Sequence, residues 1–161
     1  MENLLDINFL IESFPAIVAR LPVTIGIAVG SLVISLLIGV VTALIKIYKV
    51  PVLRVISSIY VSFIRGTPLL VQIYLVFYGI PKIIYYLQIE YGWLQSADVN
   101  SIPPEVYALV AFSVNLGAYL SETIRSAIES VDRGQFEAAK SIGMSPSQMM
   151  IKIIFPQALA T

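Results

Sequence analysis

Apolar residues fall along this chain in long unbroken runs rather than in the alternation of a half-exposed strand. Residues 23–45 carry no charged side chain. As a helix rising 1.5 Å per residue they reach roughly 35 Å, enough to cross a hydrocarbon core of about 30 Å. A first span is therefore expected over 23–45. Ahead of it Ile7, Leu10, Ile11, Phe14, Ile17, Val18 and Leu21 recur at helical spacing. That pattern predicts an amphipathic helix over 4–20, either lying in the membrane surface or extending the first span. Within the span Gly26, Gly30, Ser31, Ser35, Gly39 and Ala43 place small side chains about one turn apart, a face that another helix could approach closely.

The next apolar stretch is interrupted. Val55–Ile64 and Leu69–Ile80 have membrane-like composition, with Arg65, Gly66, Thr67 and Pro68 between them. Thr67 is a capping residue type and Pro68 suits the first position of a helix. A second span over 55–86 with an elbow at 65–68 is expected, as one kinked helix or as two helices meeting there. Tyr85, Tyr86, Tyr91 and Trp93 are of the kind that collects at the membrane–water boundary. After a polar loop with Glu90, Asp98 and Asn100, the residues Ser101, Pro103, Pro104 and Glu105 open a helix. A third span is expected over 104–131. It is longer than the bilayer core requires, so the end bearing Glu122, Arg125 and Glu129 projects into water. Their spacings of three and four let them pair along one face.

From Asp132 the apolar content falls, and the chain reads as two short helices joined by a break. Asp132 with Gln135, and Ser145 with Pro146 and Gln148, have the spacing of helix starts. Gly143 suits a left-handed turn that ends the first helix, and Pro156 disturbs or ends the second. The first helix is expected to expose Ala138 and Ala139 beside Glu137, a surface able to seat closely against another protein.

Charge supplies the orientation. Lys46, Lys49, Arg54 and Arg65 occur with no acidic residue between them, as in a cytoplasmic loop. The N-terminus is then outside, and residues 132–161 share the side of the basic loop. Glu2, Asp6 and Glu12 stand where a secretory leader would be basic, so no leader is expected. The fold class is all-α: a polytopic helical membrane protein, one transmembrane domain over 1–161 with three spans and a cytoplasmic loop of helices at 132–161.

Composition narrows the chemistry. The 161 residues are 58% apolar and 12% charged, against about 25% charged in an ordinary soluble domain, so the solvent is mostly lipid. A net charge of zero gives no basic face for nucleic acid. With no cysteine and no histidine, disulfides, thiolate or imidazole metal sites and Cys- or His-based catalysis are excluded; no catalytic and no metal-ligating residue is expected. Polar groups at membrane depth are costly and often functional, which singles out Gln72, Asn115, Ser121 and Glu122 as a candidate substrate path. The alternative is packing, with hydrogen bonds across helices and, for Glu122, neutralisation by Arg125.

Three stretches carry a resemblance. Glu137-Ala138-Ala139, three residues, Gly143, nine residues, then Ile153-Ile154-Phe155-Pro156 resembles the Glu-Ala-Ala loop of ABC-type import permeases, with Phe155 where leucine is more usual. Arg65-Gly66-Thr67-Pro68-Leu69-Leu70-Val71-Gln72 and Asn115-Leu116-Gly117-Ala118-Tyr119-Leu120-Ser121-Glu122 look like the polar amino-acid branch of that family, and the outer loop hints at its cystine type. The run from Ser130 to Glu137 joins the last stretch to the loop.

The resemblance implies a bacterial cell-membrane permease that pairs with an identical or different second permease. It would sit on an ABC ATPase subunit that binds ATP and Mg, and receive an amino acid from an extracytoplasmic substrate-binding protein. It implies no cofactor on this chain and no enzymatic activity of its own. ATPase coupling would fall to Gly134, Glu137, Ala138, Ala139, Gly143 and Pro156, and the substrate path to Gln72, Asn115, Tyr119, Ser121 and Glu122. Arg65 is expected to anchor at lipid phosphates, with contact to the ATPase the other option. Such permeases continue past the loop with two more spans, so the chain is expected to be a fragment lacking them. A permease for a sugar, metal complex or anion, a passive channel and an assembly scaffold are the rival readings.

Overall fold

The computed structural model describes residues 7–95 and 98–160. Glu2, Asp6, the first residues of the expected 4–20 helix and Thr161 lie outside the described residues, as do the side chains of Ile7, Leu10 and Asn100. The described chain is helical without a strand. Its elements are α1 (Ile7–Ala19), α2 (Leu21–Ile47), α3 (Leu53–Gly66), α4 (Leu69–Tyr74), a π-turn (Leu75–Gly79), α5 (Ile80–Tyr91), α6 (Pro104–Glu129), α7 (Arg133–Ser141), α8 (Pro146–Met149), a second π-turn (Met150–Ile154) and α9 (Phe155–Ala158). Two helical stretches, 11–47 and 69–91, are long and apolar enough to cross a membrane. Helix α6 covers the third expected span, but Glu105, Glu122, Arg125 and Glu129 make it more polar. The residues divide into two compact units, 1–33 with 69–113 and 34–68 with 114–161.

Proline explains the irregular backbone. Arg20 is the only residue between α1 and α2, and Pro22, which has no N–H to donate, stands at the second position of α2. At the elbow Thr67 is extended, with φ −119° and ψ 141°, as expected of a residue before proline. Two helices therefore meet there. Pro81 and Pro156 each follow a π-turn by two residues. A proline inside an α-helix clashes with the carbonyl four residues back, and a π-turn widens the helix there. Pro156 is expected to disturb or end the second loop helix; the helix is disturbed by the π-turn ahead of it and ends at Ala158.

In the first unit, Phe77 meets Tyr107 edge to face, with ring centroids 5.5 Å apart. A side chain at Gly30 would come within 3.1 Å of Leu109. In the second unit α2 and α6 touch almost backbone to backbone. A Cβ added at Gly39 would lie 2.9 Å from Leu120 Cβ, and one at Gly117 2.8 Å from Ile38 Cγ2. Ser35 and Ala43, one turn to either side of Gly39, are fully buried. In this unit the contact row is thus Ser35, Gly39 and Ala43. Gly26 is off it, with nothing within 4 Å of an added Cβ. Helix α3 joins the pair through Tyr60, whose hydroxyl donates to the Val114 carbonyl at 2.6 Å, and through Val61 and Ile64 against Ala118.

Gly39→Ala is expected to destabilise the protein by about 1–3 kcal/mol through overpacking, while Gly26→Ala is neutral or slightly stabilising. Thermal unfolding of the purified variants in detergent checks this; equal midpoints would remove the assigned α2–α6 contact.

Candidate functional site

The loop at 132–160 builds a small folded module. Asp132 caps α7 by accepting a hydrogen bond from the Gly134 amide at 2.6 Å, rather than through the reciprocal bond that its spacing to Gln135 suggested. Gly134 leaves room for that cap, because an added Cβ would sit 2.7 Å from Asp132 Oδ1 and the carboxylate would have to shift. Gly143 follows α7 with φ +77°, the left-handed turn expected of it. Ser145 then caps α8 in both directions: its hydroxyl accepts from the Gln148 amide at 3.3 Å, and its own amide donates to Gln148 Oε1 at 3.0 Å.

The module is held to the end of α6 by an apolar core. Ile128, Val131, Ile154 and Ala158 are buried together, with Ile47, Phe136 and Met149 against them. Ile154 is fully enclosed. This orients the Glu-Ala-Ala segment, and it corrects one expectation. Ala138 is exposed beside Glu137, but Ala139 is 1% exposed and presents no surface. One residue is a 100° turn on a helix, so the second alanine of the pair points inward. The outward face consists of Glu137, Ala138, Ser141 and Ile142, and Ile142 is 76% exposed. Pro156 lies at the start of α9 and is exposed.

A second group of polar residues gathers where α2, α3 and α6 adjoin in the second unit. Lys46 Nζ lies 2.6 Å from Glu122 Oε1, Arg125 Nη2 lies 2.7 Å from Glu122 Oε2, and Arg125 Nη1 lies 2.6 Å from Glu129 Oε2. The pairing of Glu122, Arg125 and Glu129 is as their spacing predicts. Lys46 is the addition, from 76 residues away, and no local signal could have found it. The Arg65 guanidinium stands over the Tyr119 ring, 5.5 Å from its centroid. Lys46, Ser58, Ser62, Arg65, Tyr119 and Glu122 line an open cleft of about 560 Å³.

The expected substrate-path residues therefore separate. Tyr119 and Glu122 share the cleft. Ser121 is fully buried and donates to the Ala118 carbonyl at 2.7 Å, a bond inside its own helix. Asn115 is half-buried in the second unit, and Gln72 is buried in the first. Among the described residues no cluster of His, Cys, Asp and Glu is arranged to hold a metal ion.

Gly143→Val should raise the free energy of the α7–α8 turn by about 1–2 kcal/mol, the cost of a left-handed backbone for a residue with a Cβ, with Gly143→Asn affected less. Hydrogen exchange of the α7 and α8 amides measures it. Wild-type protection in the valine variant would show that the turn does not depend on glycine.

Residues 35–161 match the model of a family described as binding-protein-dependent transport system inner membrane component. The chain is 39% identical over 153 residues to the probable amino-acid ABC transporter permease protein PatM of Vibrio harveyi, covering 95% of this chain and 63% of that protein. It is 38% identical over 159 residues to the L-cystine transport system permease protein TcyL of Bacillus subtilis (strain 168), covering 99% of this chain and 63% of that one. Among solved structures, one of an amino acid ABC transporter with histidines superposes with a TM-score of 0.75 at 32% identity, over 96% of this chain and 65% of that chain. The chain thus spans a little under two thirds of the length of these proteins. The matched length and the level of identity place it plainly: the chain belongs to the family of binding-protein-dependent transport system inner membrane components.

Proposed function

We propose that this chain is the membrane-spanning permease part of an ATP-binding-cassette importer for polar amino acids, with L-cystine the first candidate because TcyL is a relative. The observation that carries the reading is the folded module at 132–160. It presents Glu137, Ala138 and Ile142 outward from a core that Ile154 and Ile128 close, and a surface rigidly joined to a long helix is what a partner ATPase needs in order to move that helix. The Glu137 carboxylate is exposed and makes the polar contact with the ATPase. Gly143 and Pro156 shape the surface, and Ala139 supports it from inside.

The spans are 23–45, 55–86 with the elbow at 65–68, and 104–131, with residues 4–20 as the surface helix or as an extension of the first span. The N-terminus lies outside, and the basic loop and residues 132–161 lie in the cytoplasm of a bacterium. The transport unit is a pair of permeases, identical or different, on ATPase subunits that bind ATP and Mg, fed by an extracytoplasmic binding protein. The chain itself performs no hydrolysis. Gln72, Asn115, Tyr119 and Glu122 belong to the substrate path, with Ser121 contributing to its packing.

Co-purification of the full-length permease with its ATPase, followed by substrate-dependent ATP hydrolysis in liposomes, tests this. The wild type should bind and stimulate the ATPase, and Glu137→Ala should lose at least about tenfold of the stimulated rate, as expected when a charge-assisted contact is removed. A wild type that binds no ATPase would leave a channel or scaffold in its place.

A further inference from the structure

The cleft between α3 and α6 has a charge arrangement that simple packing does not require. Glu122 accepts two cations at once, one on each oxygen. Arg125 has a second carboxylate in Glu129, whereas among the described residues Glu122 is the acid bonded to Lys46. The pair on Oε2 is therefore held from both sides, and the pair on Oε1 is the exchangeable one. Arg65 lines the same cleft over an aromatic ring, and among the described residues neither it nor Ser62, one turn before it on α3, is engaged by an acid there. The cleft presents one carboxylate oxygen occupied by an ammonium on a flexible stem, and one guanidinium free to accept an anion. Its volume of about 560 Å³ is in the range of small-molecule sites.

We propose that this cleft is a binding site for the charged ends of a free amino acid, and that Lys46 is a tethered stand-in for the ligand's ammonium. An incoming α-ammonium replaces Lys46 Nζ at Glu122 Oε1 with no change in local charge. The ligand's carboxylate goes to Arg65 and the Ser62 hydroxyl. A phosphate headgroup fits less well, because it would meet the Glu122 carboxylate in the same cleft. This inference rests on the importer reading and adds a self-occupied site to it: the cleft is closed by its own ion pair when empty and opened by competition.

The test is equilibrium binding of radiolabelled L-cystine, L-glutamine and L-arginine to the full-length transporter without its binding protein. It is run in nanodiscs of phosphatidylcholine alone and with phosphatidylglycerol added. Lys46→Met, which removes the competitor, should tighten amino-acid binding by about tenfold. Arg65→Gln should weaken it by a similar factor, yet leave unchanged the affinity for the same compounds lacking the α-carboxylate. A Lys46→Met variant that binds more weakly would make the pair a structural brace and overturn the proposal. So would unchanged affinity in both variants, or no binding in the wild type and Lys46→Met alike. Loss of phosphatidylglycerol from Arg65→Gln with amino-acid affinity unchanged would assign the cleft to lipid, also against it. Uptake by wild-type proteoliposomes supplied with binding protein separates the two levels: uptake with unmoved affinities defeats the cleft alone, and no uptake defeats the importer reading.

Discussion

The second unit depends on the near backbone contact of α2 and α6 at Gly39 and Gly117. In lipid two apolar helix faces gain little by leaving their surroundings for each other, so association has to come from close packing and polar bonds. A missing Cβ on each side lets Ile38 and Leu120 fit where a side chain would otherwise stand. Ser35 and Ala43 continue the row without adding bulk. The same contact determines what meets further along. Gly39 faces Leu120 and Ser121, and two turns on in α2 Lys46 reaches Glu122. A wider crossing would leave Glu122 to Arg125 alone.

Backbone satisfaction is the second constraint. At membrane depth each unpaired amide costs several kcal/mol, and proline always removes a donor. Pro68 stands just ahead of α4, Pro22 in a first turn and Pro81 two residues after a π-turn, positions where that loss is tolerated, while Pro15 stands inside α1. In the loop at 132–160 the helix starts are capped by side chains, by Asp132 and Ser145.

Much of this was legible in the chain's own pattern, and the reason is that it was local. The long apolar runs, the break at Thr67–Pro68, the caps at Asp132 and Ser145 and the turn at Gly143 each depend on residues within about one helical turn. What was not legible depended on rotation or on distance. Of the small residues expected on one packing face of α2, Gly30, Ser35, Gly39 and Ala43 are closely packed and Gly26 alone is open. Ala138 and Ala139 looked alike, and only the core around Ile154 decides which of them is hidden. A disturbance at Pro156 is legible, but that it takes the form of a π-turn ahead of the proline is not. The Lys46–Glu122 pair joins two helices far apart in sequence, and a charge in a basic loop gives no sign of its partner.

The folded loop and the charged cleft are close neighbours along the same helices. The core beneath α7–α9 takes in Ile47 and Ile124, which adjoin Lys46 and Arg125 in the chain. Ile154 is fully enclosed in that core, so separating the module from α2 and α6 would expose a large apolar side chain and open a cavity, at a cost of about 2–5 kcal/mol. A displacement of the loop that avoids this cost has to carry the turns of Ile47 and Ile124 with it, and with them the cations that hold Glu122. Packed elements of this kind switch between discrete arrangements rather than deforming continuously. On the proposed reading, a push on the exposed face of Glu137 and Ile142 is passed to the ion pairs through Ile47 and Ile124.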